Sequence, residues 1–201
     1  MGLVQTIAPS VEPITLAQAR QRMRITAEDD GDDTDIEGMI TTARMSQEKT
    51  TGRQCITATW EWTLDAFPAS TYANPEGLFH VPISPVISVT SIKYYDVDNA
   101  EQTWSTDEYQ VDTTDMVTRI RLVFGYSYPD TYDRMSAVKV TFTAGHGATP
   151  ADVPGPLKDA LQYRVAQLYE MRQPVITGTI VANVDKTIEY LEHDYIVRRA
   201  G

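Results

Sequence analysis

Two patterns of hydrophobic positions divide the chain into helical ends and a strand-rich middle. Near the front, Leu16, Ala19 and Met23 recur at spacings of three and four, which is typical of one face of a helix. From Ile56 to Leu64, hydrophobic and polar residues alternate, as in a strand with one buried face. The chain is therefore expected to combine helices with strands.

Polar residues mark where the front helices begin. Thr15 and Gln18 have the T-x-x-Q spacing of a capping box, and Thr34 and Glu37 repeat this pattern before a second apolar stripe. Gly52 is suited to end the second helix, because glycine accepts the left-handed backbone of a helix terminus. A third stripe follows Pro154 and ends near Pro174. The predicted helices span residues 15–24, 35–51 and 156–172.

Several short β-rich segments separated by turn residues lie within residues 55–144, which indicates an antiparallel sheet or a small barrel. The predicted fold class is α+β: three or four helices packed with that sheet or barrel, with extended arms. We predict an N-terminal arm over 1–12, a central domain over 13–174 and a C-terminal segment over 175–201. That segment contains a β-rich stretch up to Ala182 and a last helix over 186–197.

Charge and cysteine content narrow the function classes. The 201 residues include 17 basic and 28 acidic side chains, a formal net charge of −11, which argues against a surface that grips phosphates. Such a chain can still face DNA that slides past it, because a negative wall repels the duplex. Cys55 is the one cysteine, so no internal disulfide forms, and a reducing compartment is expected. No apolar run is long enough to span a bilayer, and we expect no membrane association.

Catalytic and metal-binding motifs are not visible in the sequence. The three histidines lack the spacing of zinc ligands, and the acidic run from Asp30 fails the calcium-loop pattern at its sixth and twelfth positions. Cys55 is interpreted as a small packed hydrophobe. We therefore predict no enzyme, cofactor or metal, although a catalytic site scattered along the sequence stays open as an alternative.

The order and spacing of several segments resemble the head-tail connector (adaptor, or head completion) proteins of long-tailed bacteriophages. The resemblance covers roughly residues 13–175 and also fits the equivalent part of a gene transfer agent. The front segments that carry it are Pro13–Arg20, Asp35–Arg44, Thr51–Arg53 and Trp62–Pro68. The later ones are Pro82–Asp96, Tyr109–Asp112, Val140–Gly145 and Val153–Arg172.

This resemblance implies a structural virion protein of the head-tail neck, assembled in the cytoplasm of the bacterial host. Its expected partners are further copies of itself in a ring, expected to have twelve members, the portal protein, and the next neck or tail-completion protein. Double-stranded DNA would pass through the ring without specific binding. A tail-side completion or terminator ring, which would bind the tail tube, is the alternative within this class.

The resemblance also suggests which residues meet these partners. The acidic residues Asp29, Asp30, Asp32 and Asp33 are candidates for the channel wall. By analogy, the segment after Pro174 should dock on the portal, and a chain truncated there should fold but fail to dock. The candidate docking residues are Val175, Ile176, Thr177, Gly178, Thr179, Ile180, Val181, Ile196, Arg198 and Arg199.

Overall fold

The computed structural model describes residues 2–26, 31–69, 77–171 and 181–197, with the backbone alone for 181–183. The chain forms two compact units, which we describe separately. The β unit contains the residues up to Ala8 and Thr57–Gly145. The helical unit contains Pro9–Ile56 and the residues from His146 onward.

The described part of the helical unit contains four helices: the three predicted over 15–24, 35–51 and 156–172, and the predicted last helix. Their observed bounds are α1, Leu16–Met23; α2, Asp33–Thr51; α3, Gly155–Glu170; and α4, Val181–Glu192. Short 3-10 turns occur at Pro150–Asp152 and His193–Tyr195. The prediction of β structure up to Ala182 is wrong at its end, because Val181 already opens α4. The last helix also begins earlier than the predicted residue 186.

The capping boxes have different outcomes. In the first box, the Gln18 backbone N–H donates to Thr15 Oγ1 over 3.2 Å, and the Thr15 N–H donates to Gln18 Oε1 over 2.9 Å, as predicted. The second box is wrong, because α2 begins at Asp33 and Thr34 lies inside its first turn. Gly52 ends α2 with a φ of 70°, which confirms its predicted role.

In the residues that the structure describes, the β unit contains eight strands in two antiparallel sheets. The strands are β1, Gly2–Ile7; β2, Ala58–Leu64; β3, Phe79–His80; β4, Val86–Tyr95; β5, Glu101–Thr103; β6, Tyr109–Asp112; β7, Arg119–Leu122; and β8, Val138–Ala144. The larger sheet has the order β1-β2-β8-β4-β5, and the smaller has β3-β7-β6. These are open sheets, so the α+β class is confirmed in its sheet form rather than as a barrel. β1 lies in the predicted N-terminal arm.

Side chains from both sheets form the core of the β unit. In the register of β2 and β8, Trp60 lies opposite Phe142 and Trp62 opposite Val140, so alternate residues of both strands face the core. Phe67 contacts four further aromatic rings, with centroid distances from 5.1 to 6.0 Å. The predicted period-two pattern of β2 is thus explained by burial of one face.

The helical unit has two apolar clusters. Ile36 and Ile40 of α2 pack with Leu161 and Val165 of α3, and Ala19 of α1 joins them. A second cluster contains Cys55, Ile56, Val153 and Leu157. Burial of Cys55 among these side chains agrees with its interpretation as a packed hydrophobe.

Candidate assembly surfaces

The candidate acidic residues at the start of α2 have partners inside the helical unit. Asp29 and Asp30 lie outside the described residues. Asp32 Oδ2 accepts a hydrogen bond from the Tyr169 hydroxyl over 2.7 Å, and Asp33 Oδ1 accepts one from Arg20 Nε over 2.7 Å. These contacts connect the beginning of α2 to α3 and α1. Their role in a channel wall stays a prediction.

Most candidate docking residues lie outside the described part of the chain, namely residues 175–180, Arg198 and Arg199. Val181 begins α4, and Ile196 is half-buried in the helical unit. Next to Ile196, the Val197 backbone N–H donates to the Thr51 carbonyl over 2.8 Å. The end of the described chain therefore lies against the C-terminus of α2.

Glu192, at the end of α4, connects three helices. Its side chain is 2% exposed and accepts hydrogen bonds from Arg164 on α3, over 3.0 Å from Nε and 2.7 Å from Nη2. Gln47 Nε2 on α2 donates to Glu192 Oε1 over 3.0 Å and to the Leu157 carbonyl over 2.9 Å. A carboxylate this deeply buried needs such partners, because an unpaired buried charge is costly.

This network changes the expected effect of truncation after Pro174. Removing α4 takes away Glu192 and the buried Ile188, and leaves Gln47 and Arg164 without their carboxylate partner. We therefore expect such a truncation to destabilise the helical unit. Glu192 is not among the residues predicted from the sequence, although a signal exists: it lies four residues after Ile188, on the buried face of the helix.

A second polar cluster connects Glu12, near the start of the helical unit, to α2. Arg44 donates through Nε to Glu12 over 2.7 Å and through Nη1 to Glu48 over 2.9 Å. Glu48 Oε1 also accepts from Gln54 Nε2 over 2.7 Å and from the Cys55 backbone N–H over 3.0 Å. Burial raises the pKa of Glu48, despite the nearby Arg44, and burial likewise raises the pKa of the Cys55 thiol. A protonated, buried thiol is a poor nucleophile.

Arg53 and His146 lie together in the helical unit. Arg53 Nε donates to the Tyr195 carbonyl over 2.6 Å, so it also holds the C-terminal turn. Desolvation, together with the positive charge of Arg53, lowers the pKa of His146 to about 4. His146 is therefore neutral in the folded chain at neutral pH.

The outer face of the smaller sheet has a groove of about 760 Å³. Hydrogen bonds from Thr114 and from Arg119 hold the pKa of Asp112 at about 2, and Asp112 pairs with Arg119 over 2.6 Å. Arg121 donates to the uncharged Gln110 over 3.2 Å. The groove thus has a surplus positive charge among its lining residues, in a chain whose overall charge is negative.

Within the described ranges, no group of three or more His, Cys, Asp or Glu side chains is arranged to hold a metal ion. None of the helices described is long and apolar enough to cross a membrane.

Comparison with solved structures shows which known chains share this fold. It is the fold of chains in the neck of gene transfer agent particles. One match, from the neck of an empty particle computed with C6 symmetry, has a TM-score of 0.81 and 20% identity. A second, from the virion of a native particle, has a TM-score of 0.80 and 21% identity.

A third match, from the neck of a native particle computed with C12 symmetry, has a TM-score of 0.72 and 20% identity. Each alignment covers 100% of this chain and 98% of the matched chain. No protein-family model and no curated protein sequence matches the chain. The similarity is therefore one of fold, over alignments that span the whole chain.

Proposed function

We propose that the chain is a structural virion protein, a head-tail adaptor that forms a ring between the portal and the tail and extends the DNA channel. The observation that carries this proposal is the full-length similarity in fold to chains of gene transfer agent necks. The alignments cover 100% of this chain and 98% of each matched chain, so the support for the proposal is not limited to one of the two units. In this proposal the chain has no catalytic role and needs no cofactor.

The charge of the chain supports a channel that DNA crosses without binding. At −11 per copy, twelve copies would give a strongly negative ring, which repels phosphates and keeps a duplex mobile. The acidic residues before and at the start of α2, including Asp32 and Asp33, are our candidates for the channel side. Because Asp33 pairs with Arg20, the local field there is weaker than the sequence alone suggests.

Docking on the portal is assigned to the C-terminal segment 175–201, including Ile196, Arg198 and Arg199. Its two arginines suit an acidic or hydrogen-bonding partner surface. In the proposed particle, the opposite side of the ring receives the next neck or tail-completion protein. Assembly takes place in the host cytoplasm, and the finished protein resides in the virion neck.

Co-purification tests this assignment. The chain is mixed separately with the portal and with the tail tube encoded beside it, and each mixture is passed over a size-exclusion column. We expect coelution with the portal and separate elution from the tube. Coelution with the tube alone would replace the adaptor by a tail-side completion ring. A gel-shift assay with duplex DNA at physiological salt should show no complex.

A further inference from the structure

Among the described strands, the larger sheet of the β unit has two unpaired edge segments that contain no charged residue. β1 lies at one end of this sheet and pairs only with β2 among the described strands. At the other end, β5 pairs with β4 from Lys93 to Tyr95, and the Trp104 N–H donates to the Ile92 carbonyl over 2.8 Å. The preceding part of β4, Val86–Ser91, pairs with β8 alone among the described strands, so its other edge is open. Open edges present unpaired backbone N–H and C=O groups.

Both edge segments are uncharged and carry exposed apolar side chains. Gly2–Ile7 and Val86–Ser91 contain no Lys, Arg, Asp, Glu or Pro, although 22% of the chain is charged. Val4 is 60% exposed, Ile7 63% and Ile87 50%. Soluble proteins normally protect such strands with charged residues or proline, because an unprotected edge pairs with other chains. By contrast, β5 carries Glu101, which pairs with Lys93 over 3.0 Å and with Lys139 over 3.2 Å.

We propose that these two edges pair with each other between copies, so that β1 of one subunit adds to the β4 edge of the next. This inference rests on the proposed ring. The two edges lie on opposite sides of the sheet, three strand spacings or about 14 Å apart, so one copy can pair with two neighbours at once. Such a contact is heterologous, and a heterologous contact closes into a ring when its rotation allows.

The register shifts in these two strands are consistent with a contact that closes into a ring. β1 has a register shift between Gln5 and Ile7, and β4 has shifts between Val86 and Ser88 and between Val89 and Ser91. Bulges increase the local twist of a strand. A strongly twisted contact rotates each copy relative to the last, which favours a closed ring over a flat stack. The matched necks were computed with C6 and C12 symmetry, and a cyclic arrangement repeats one such contact.

A charge placed on one edge tests the pairing. Val4→Lys puts an ammonium group on the β1 edge, and Val97→Lys is its matched control, because Val97 is 61% exposed but lies in the turn after β4. Rings formed by each variant in the presence of the portal are counted by electron microscopy. We expect Val4→Lys to lose the ring, with at least a tenfold drop in ring count, while Val97→Lys retains it. Equal melting temperatures of both monomers show that the loss is not unfolding.

Cysteine cross-linking gives a second, independent readout. A chain carrying both Val4→Cys and Ile87→Cys should form a ladder of disulfide-linked oligomers on oxidation within the ring. Each single variant should form none, because a heterologous contact brings together two different positions. A second double variant, Val4→Cys with Thr90→Cys, samples a different register, three residues further along the same edge of β4. Cys55 does not interfere, because it is buried.

The outcomes separate this inference from the proposed function. The edge contact is supported if Val4→Lys loses the ring and either double cysteine variant forms a ladder of disulfide-linked oligomers. Rings that survive Val4→Lys and give no ladder would overturn the edge contact while leaving the adaptor function intact. A wild-type chain that forms no ring on the portal would contradict the adaptor function, and the edge contact with it.

Discussion

Glu192→Gln tests the polar network that holds α4 to the helical unit. The substitution keeps the size of the side chain and removes its charge. Arg164 then faces a neutral amide in place of a carboxylate that accepts two hydrogen bonds from it. Gln47 keeps its bond to the Leu157 carbonyl and can retain a bond to the new amide oxygen.

The expected loss follows from the burial of the two charged groups. The Glu192 side chain is 2% exposed and the Arg164 side chain 20% exposed. Water can therefore solvate part of the Arg164 charge, but not the Glu192 side chain. Removing one partner of a fully buried ion pair costs about 3–5 kcal/mol. Because the amide retains some hydrogen bonding and Arg164 reaches water, we expect a decrease of about 2–3 kcal/mol in the free energy of unfolding.

Urea unfolding measures this loss, with separate signals for the two units. The far-ultraviolet circular dichroism of helices reports mainly the helical unit. The three tryptophans, Trp60, Trp62 and Trp104, all belong to the β unit, so their fluorescence reports that unit. With a slope of about 2 kcal/mol per molar urea, the helical transition should move down by roughly 1–1.5 M.

Asp194→Asn is the matched control. Asp194 is 92% exposed and contacts only the exposed His193 among the ion pairs of the described residues. Its substitution should change stability by less than about 0.5 kcal/mol. A double-mutant cycle with Arg164→Gln isolates the pair itself. If Glu192→Gln unfolds within about 0.5 kcal/mol of the wild type, the network does not stabilise α4 and our reasoning is refuted.

Three further predictions concern the helical unit. The pKa of His146 is about 4 in the folded chain and has its ordinary value of 6.5 in the unfolded chain. Between these two pH values the unfolded chain therefore binds a proton that the folded chain does not. Stability should therefore fall as the pH falls from 6.5 to about 4, and the melting temperature of His146→Asn should fall less over this window; equal slopes would contradict this. A Cβ on Gly147 would overlap the Asp152 side chain, so Gly147→Ala should cost about 1–3 kcal/mol in a thermal melt, whereas Gly155→Ala, with open space around it, should cost nothing. Gly52→Ala should cost about 1 kcal/mol, because Gly52 has a φ of 70°; an unchanged urea midpoint would show that the helix end adapts.

The sequence predicted those elements whose pattern is local. The Thr15 capping box, the glycine that ends α2 and the alternation in β2 all depend on residues close together in the chain, and the structure confirms them. The start of α2 was misplaced by two residues, since contacts of Asp32 and Asp33 with α3 and α1 fix the preceding turn. No local pattern contains those long-range partners.

Strand β1 and helix α4 are elements whose type or bounds could not be predicted from the local sequence. β1 is a strand because it adds to the edge of β2, nearly sixty residues away, and its six residues alone do not distinguish a strand from an extended arm. The start of α4 was assigned to strand because Val175–Ala182 is rich in β-branched residues. In the structure the helix already begins at Val181, and its later residues Ile188 and Glu192 are buried in the helical unit.

Imaging the purified chain with its portal by electron microscopy tests the central claim most directly. We predict a ring of twelve copies stacked on the narrow end of the portal, with a continuous central channel. A chain that stays monomeric beside the portal, or a ring that binds only the tail tube, would contradict the adaptor account.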